Sequence, residues 1–580
     1  MPLAPPPAPL WEEAPAPSPE KVETLVRALK LPRALCGVLV GRGVEDPEEA
    51  KTFLRPLLSG LHPPEALKDL PRAVARIGKA VQEEEVILVH GDYDVDGMAG
   101  TALLTRWLRR LGGKVVPFVP HRLRDGYDLG PAGLEAARSA GAGLLLTVDC
   151  GILAMEAVEE ARRTGMDVIV TDHHAPGPKL PGALAVLNPG RTDETYPFPH
   201  LSGTGVAFKL CQGLARAWGV GEEELHPHLD LVGLATVADL VPLTGENRIL
   251  ARYGLKALTR TRLPGLRALL ARAGLNGSQV TAGSVSFLLA PRLNAVGRLG
   301  EPAVGLDLLL TDRIPEAARL AQEAESLNQE RQAEDRRTLE EALDQLARTF
   351  DPERDHALVL ASEGWHPGVV GIVASRIVER FHRPAVMIAL DGDRGKGSAR
   401  SIPGFHLLEA IRACGSLLER FGGHSQAAGL EIARDRVDAF RQAFGTKARE
   451  RLAGLDLRPS LAPELEVDLG EMSAELHGYL RYLGPHGLGN PRPLFLARNV
   501  ALSGTPRVVG EDHLKLRLRQ EKAELEAIGF RMANRITPAN LGRGPVDVAF
   551  HLQENEYRGI RTLQARLRDI RLTRPEVLTP

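Results

Sequence analysis

The sequence predicts a multidomain α/β protein: a doubly wound parallel-sheet domain, a long connecting helix, a second α/β domain and a C-terminal β-barrel of OB type. Three observations predict it. Apolar strand-like runs alternate with amphipathic helical stretches from Glu84 to His174, the pattern of a parallel sheet covered by helices. A charged run at 315–349 carries Glu and Arg at helical spacing with no Gly or Pro after Pro315, which reads as one exposed helix. From Pro459 onward short alternating strands are separated by turn signals, which suits a small barrel. The boundaries on this reading are 1–80 for a Pro-rich tail and helical lead-in, 81–314, 315–350, 351–456 and 457–580.

Composition narrows the class. A chain of 580 residues has room for several domains with large cores. Its 43% hydrophobic and 25% charged residues are those of a soluble globular protein. A formal net charge of −2 gives no global basic field, so a nucleic-acid surface would have to be local. Cys36, Cys150, Cys211 and Cys414 lack metal-ligand spacing and read as reduced thiols, which makes a cytoplasmic location the expectation. No signal-peptide pattern and no bilayer-length apolar run is seen, so no membrane partner is expected. Nothing demands more than a monomer.

Residues 1–19 are Pro- and Ala-rich and are expected to be disordered or loosely draped. Residues 20–81 are helical and amphipathic, broken at Pro32, Pro47, Pro56 and Pro63-Pro64. The first strand is Val86-Ile87-Leu88-Val89, apolar and largely β-branched. His90, Asp92, Asp94 and Asp96 follow at every second residue, then Gly97, and 98–111 reads as a helix. Strands at 114–120, 143–148 and 167–171 alternate with helices at 131–140 and 153–164. Asp149 and then Asp172-His173-His174 stand at the carboxyl ends of the last two strands, where ligands gather in such folds. A helix at 229–238 is followed by Asp239.

Carboxylates and imidazoles crowded at strand ends repel one another unless positive charge lies between them, and a divalent metal supplies it. Any one of these Asp residues is equally well a cap or a turn residue. A calcium loop matches Asp92, Asp94, Asp96 and Gly97, but its twelfth position is Leu103 instead of Glu, and a strand precedes it where a helix should. The mixed donor set suits Mn²⁺ better than Mg²⁺ or Zn²⁺. Two ions about 3.5–4 Å apart would acidify a water and neutralise a phosphodiester during in-line attack, with no covalent nucleophile.

These four segments, in this order, resemble the DHH phosphoesterase superfamily, whose namesake triplet is Asp172-His173-His174. The resemblance implies two divalent ions, Mn²⁺ preferred and Mg²⁺ as the alternative. His90 and Asp94 would hold one, Asp96, His173 and Asp239 the other, and Asp149 would bridge them. His174 would contact the reacting phosphate, while Asp92 and Asp172 would position these groups.

Longer stretches resemble the bacterial RecJ exonucleases: Leu187-Asn188-Pro189, residues 201–209, and Pro291-Arg292-Leu293-Asn294-Ala295 with Gly297-Arg298. Arg292, Asn294 and Arg298 would bind phosphate, structural ion pairs being the competing reading of the arginines. In the second α/β domain, residues 365–371 lead into a helix with Ser375 and Arg376, and two Gly-containing turns follow at 395–401 and 421–429. The latter resembles the signature of the DHHA1 domain that accompanies the DHH module. Arg376, Ser398, Arg400, Ser401, Gly423 and His424 would contact DNA, with Ser398 and Arg400 on a 5′-phosphate. Residues 483–491 again resemble RecJ. Arg558, Arg561, Arg566, Arg568, Arg571 and Arg574, near Tyr557, suit either a tracked single strand or a solvated basic face.

The resemblance covers roughly residues 20–575. It implies a Mn²⁺-dependent enzyme that releases mononucleotides from the 5′ end of single-stranded DNA in repair and recombination. Single-strand binding protein and a DNA helicase would be its protein partners. Two other readings stay open. One is a DHH-family phosphodiesterase of oligoribonucleotides or cyclic dinucleotides, against which the extra barrel argues. The other is an inactive single-strand-binding scaffold, which should have lost ligands that are all present here.

Overall fold

The first α/β sheet is built from β1 (Val86–Gly91), β2 (Lys114–Phe118), β3 (Ala142–Val148), β4 (Asp167–Thr171) and β5 (Ala185–Leu187). A computed structural model describes residues 7–536, 541, 544–557 and 559–573 of the chain. The five strands are all parallel, in the order β2-β1-β3-β4-β5. The order reverses between β1 and β3, so their carboxyl ends open a crevice at the switch point. Ile87, Leu88, Val89, Leu144, Leu145 and Leu146 are fully buried, as strands covered on both faces require.

Helices α1 (Val95–Arg110), α2 (Pro131–Ser139) and α3 (Met155–Arg163) connect the strands. They are followed by α4 (Gly203–Ala217), α5 (Leu229–Ala238) and α6 (Ala290–Leu299). A π-helical turn, Val285–Leu289, leads into α6. Pro291, which has no N–H to donate, stands at the second position of α6. The charged run forms a single helix, α7 (Ile314–Thr349).

The chain divides into two compact units. One is Leu54–Arg331 with Tyr482–Pro491; the other joins Met1–Phe53, Gln332–Arg481 and Arg492–Pro580. This differs from the linear division expected above. The helical lead-in is split, α7 contributes to both units, and the RecJ-like stretch at 483–491 belongs with the first sheet.

The second sheet contains β6 (Leu358–Glu363), β7 (Ala385–Asp391), β8 (Arg394–Arg400), β9 (Arg420–Gly423) and β10 (Ala427–Ala433), in the order β9-β10-β8-β7-β6. Helix α8 (Val370–Phe381) follows β6. The two stretches expected as turns are strands instead: 394–400 is β8, and 421–429 is largely the hairpin β9–β10. A Cβ on Gly395 would lie 2.7 Å from Ile388, and one on Gly397 2.7 Å from Leu430. These glycines make room for large neighbours across the sheet; they do not make a bend.

The last domain closes as a ring of β11 (Phe495–Leu502), β12 (His513–Gln520), β13 (Ala523–Gly529), β14 (Val546–Tyr557) and β15 (Ile560–Leu572). Neighbours run β11-β14-β15-β13-β12, and β12 pairs back onto β11. Leu514, Leu516 and Leu518 point into the barrel while Lys515, Arg517 and Arg519 alternate outward.

The tail is not loose where it is described. Leu10–Trp11 pairs in parallel with Ser460–Leu461. The Trp11 indole N–H donates to Asp569 Oδ2 at 2.7 Å, and the Arg571 guanidinium lies 4.3 Å above its ring. Composition predicted disorder because it cannot see a buried carboxylate and a cation waiting for one indole. Of the C-terminal arginines, Arg561 pairs with Glu556 and Arg571 with Asp547, while Arg566 covers the Phe530 ring at 5.1 Å. Arg558, Arg574 and the Tyr557 side chain lie outside the described residues.

Candidate active site

The strand β1 ends at Gly91, and the chain turns at once into α1. Asp94 is the N-cap: its Oδ1 accepts from the Asp96 N–H at 2.9 Å and the Gly97 N–H at 3.1 Å. The helix therefore begins at Val95, three residues earlier than periodicity suggested. Gly97 is required by space, since a Cβ there would lie 2.4 Å from both the N and O of Asp92. Asn294 reaches this turn through Oδ1, which accepts from the Val95 N–H at 3.2 Å.

Asp149, just beyond β3, is held at φ +61°, a left-handed conformation that Asp tolerates better than most residues. The N-terminus of α4 packs directly against it, because a Cβ on Gly203 would fall 2.5 Å from the Asp149 Cβ. The same helix end fixes Asp96. Gly203 N–H donates to Asp96 Oδ2 at 2.7 Å and Thr204 N–H to Oδ1 at 2.8 Å. That is the work of the RecJ-like stretch at 201–209, and helix N-termini favour such an anion.

At the end of β4, Asp172 Oδ1 accepts from the backbone of His173 and His174 and from His174 Nδ1, the last at 2.8 Å. Its Oδ2 accepts from the Ile152 N–H at 2.9 Å. Burial pushes Asp172 up, but the hydrogen bond and charge of His174 carry it below the ordinary carboxylate value. His174, lowered by burial and raised more strongly by Asp172, reaches about 9. Asn188 donates to the His174 carbonyl at 2.9 Å, which accounts for the Leu187-Asn188-Pro189 stretch.

His173 Nε2 lies 3.0 Å from Asp149 Oδ1, 3.5 Å from Asp239 Oδ2 and 4.0 Å from Asp96 Oδ2. Neither His173 Nε2 nor Asp149 Oδ1 makes a hydrogen bond, and Asp92 Oδ1 is likewise buried without a partner. Burial and neighbouring carboxylates push Asp92 and Asp149 well above the ordinary range, and Asp239 to about 9. Burial also lowers His173, so its imidazole is held neutral, the form that binds metals. Donor atoms converge in three groups: Asp92, Asp94 and Asp149; Asp96, His173 and Asp239; and Asp149, His173 and His174. Unpaired buried donors with overlapping membership fit a pair of divalent ions sharing Asp149.

His90 is in none of these groups among the described residues. Its Nδ1 faces Cys150 Sγ at 3.5 Å, and its other ring edge lies where a Cβ on Gly133 would be, at 2.4–2.6 Å. Burial lowers it to about 4. Its Nε2 is buried without a partner, as are His173 Nε2 and Asp149 Oδ1. Asn294 braces the Asp94 turn, and Arg292 pairs with Glu325 at 2.5 Å and donates to the Leu288 carbonyl at 2.6 Å. Arg298 contributes to the electrostatic surroundings of Tyr93.

In the other unit, Ser398 and Arg400 come together on β8, with Arg400 Nη1 donating to Ser398 Oγ at 3.1 Å. The start of α8 lies against them, since a Cβ on Gly371 would sit 2.8 Å from Ser398 Oγ and 3.1 Å from Arg400 Nη2. Arg376 pairs with the buried Asp335 at 2.8 Å. Ser401 Oγ donates to the Phe405 carbonyl at 2.6 Å. Gly423 has φ +142°, and a Cβ on it would lie 2.4 Å from the Ala427 carbonyl oxygen. His424 stands exposed at the β9–β10 turn, with its N–H donating to Ala427 O at 2.7 Å.

Sequence reasoning passed over Tyr127. Its hydroxyl is 3.2 Å from His174 Nε2, and the residue is half exposed. Arg122 nearby lies 5.4 Å over the Tyr93 ring. Both stand in the loop after β2, at the carboxyl end of that strand.

A parallel sheet with these carboxylates and histidines at its switch point defines a phosphoesterase of the DHH class, and the model of the DHH family N-terminal domain matches residues 86–236. The models of the DHHA1 domain and the RecJ OB domain match 355–450 and 464–569. The chain belongs to the RecJ family. It is 38% identical to the single-stranded-DNA-specific exonuclease RecJ of Escherichia coli, over 93% of this chain and 96% of that one. It is 37% identical to the Bacillus subtilis RecJ over 89% of this chain, and spans 65% of that longer protein. The crystal structure of Thermus thermophilus RecJ with Mn²⁺ superposes with a TM-score of 0.83 at 34% identity, covering 97% of this chain and 80% of that one. No helix among the described residues is long and apolar enough to cross a membrane.

Proposed function

We propose that this chain hydrolyses single-stranded DNA from its 5′ end to mononucleotides, with two divalent ions, Mn²⁺ preferred over Mg²⁺. The observation that carries the reading is the set of buried donor atoms without partners around Asp149. His90, Asp94 and Asp149 would hold one ion, with Asp92 beside them, and Asp96, His173 and Asp239 the other. Bound there, the ions supply an acidified water and neutralise charge on the phosphodiester. The chain's own residues do the positioning. The α4 N-terminus holds both Asp96 oxygens, and Asp172 binds His174 Nδ1 so that Nε2 is presented outward to a phosphate oxygen. Tyr127 flanks that nitrogen and orients the same group.

Ser398, Arg400 and the start of α8 form an anion site suited to the 5′-phosphate. The barrel, with outward Lys515, Arg517 and Arg519, would track the strand. Buried free thiols at all four cysteines suit a cytoplasmic location. Single-strand binding protein and a helicase would supply and protect the substrate.

The test is digestion of an oligonucleotide labelled at the 5′ end in one reaction and the 3′ end in another, with Mn²⁺ or EDTA. Immediate release of the 5′ label as mononucleotide, gradual shortening of the 3′-labelled strand and silence in EDTA are expected. Hydrolysis of a dinucleotide with long DNA untouched would keep the metal site and remove the substrate assignment. Binding without cleavage would favour a scaffold. Arg400→Ala is expected to lower the preference for 5′-phosphorylated over 5′-hydroxyl ends about tenfold, the loss of one charge-assisted hydrogen bond. An unchanged preference in competition digests would remove Arg400 from the 5′ site.

A further inference from the structure

Among the described residues, nine that are not glycine have positive φ, and eight of these are polar or charged. The exception is Leu240, at φ +59°. It occupies the position just past the C-cap of α5, where a left-handed residue commonly ends a helix and where Gly is the usual choice. A leucine here is opposed by its own backbone sterics. Core packing does not offset that, because Leu240 is 63% exposed while Val241 and Leu243 beside it are buried. The loop beneath it is firmly held: Leu243 N–H donates to Leu488 O at 2.7 Å. Arg248 donates to the carbonyls of Leu483 and Tyr482. The chain thus places a large apolar side chain in water, on a braced loop, one residue from Asp239.

We infer that Leu240 is a substrate-contact residue, packing against the apolar face of the sugar or base of the nucleotide being cut. Backbone strain of this kind concentrates at ligand sites, where contact with the ligand offsets it. The metal-type donors account only for the charged phosphodiester; a nucleotide also brings an apolar face that needs a partner. In order of contact the site runs Tyr127, His174, His173, Asp239. Leu240 follows Asp239 in the chain, so a large exposed apolar residue adjoins the last of these groups. The inference rests on the nuclease reading.

The experiment is steady-state digestion of a 5′-phosphorylated single strand by the full chain carrying Leu240→Ala, Leu240→Gly or Leu240→Met, with Mn²⁺ affinity measured by calorimetry. Leu240→Ala and Leu240→Gly should raise KM about tenfold with kcat and Mn²⁺ affinity held, and Leu240→Met should restore KM. Leu240→Gly is the folding control, since Gly adopts this φ without strain. A fall in kcat accompanied by weaker Mn²⁺ binding would mean that Leu240 only positions Asp239, and would overturn the inference, as would an unaltered KM. A wild-type chain that binds Mn²⁺ yet leaves DNA intact would instead sink the nuclease reading, and this inference with it.

Discussion

Asp149→Ala and Asp149→Asn each lower the rate of DNA hydrolysis by at least about a thousandfold, the equivalent of the several kcal/mol that shared charge stabilisation supplies. Both variants also lose the Mn²⁺-dependent rise in melting temperature expected of the wild type, because an ion that binds only the folded state stabilises it. The two substitutions separate charge from conformation. Asn tolerates the left-handed backbone at this position, φ +61°, whereas Ala does not. Without metal, Asp149→Asn keeps or gains stability, since it relieves repulsion among buried carboxylates from Asp92, Asp94, Asp96 and Asp239. Differential scanning fluorimetry across a Mn²⁺ titration reads this without reference to activity. A variant that turns over at the wild-type rate would remove Asp149 from the centre of the mechanism.

Lys209→Ala destabilises the protein by about 3–5 kcal/mol, the cost of leaving a buried charge without its partner. Lys209 and Glu246 are essentially fully buried and lie 2.6 Å apart. The ammonium also donates to the His62 carbonyl at 2.8 Å. Glu246 in turn accepts from the Tyr196 hydroxyl at 2.6 Å and the His62 N–H at 2.9 Å. Every member is satisfied, so removing one leaves the others stranded. The paired change Lys209→Met with Glu246→Gln, which removes both charges, keeps an acceptor for the His62 N–H and lets the Tyr196 hydroxyl turn to accept from the amide, should recover more than half of the loss. Urea unfolding of the single and double variants measures it. Equal stability of Lys209→Ala and wild type would show that the pair contributes nothing net.

Much of the site was legible because strand ends in a parallel sheet are where a sequence pattern converts directly into a place. Asp149, Asp172, His173 and the Asp94–Asp96 pair all follow apolar runs, and all converge at the β1–β3 switch point. Asp239 had no such signal, since it ends a helix; only its company in space gives it meaning. His90 stands at the limit of what strand alternation can place. Alternation puts His90, Asp92, Asp94 and Asp96 on one face only while the strand continues. The strand stops at Gly91 and a helix begins at Val95, so His90 ends the strand beside Gly133 and Phe118 while Asp94 and Asp96 are placed by the start of the helix. The glycines of β8 misled, because glycine marks close approach as well as turns.

The sequence by itself determined the kinds of element and their order: parallel strands from apolar runs, one long helix from a charged run without breakers, a barrel from short alternating strands. It also determined the inventory of metal-type donors, because residue type and strand-end position are local properties. Only the tertiary structure decided which donors meet, that the α4 N-terminus grips Asp96, that Arg292 is paired with Glu325, and that Trp11 binds the barrel. Those outcomes depend on contacts between residues up to 558 positions apart, and no local propensity encodes the geometry at which such distant groups come together.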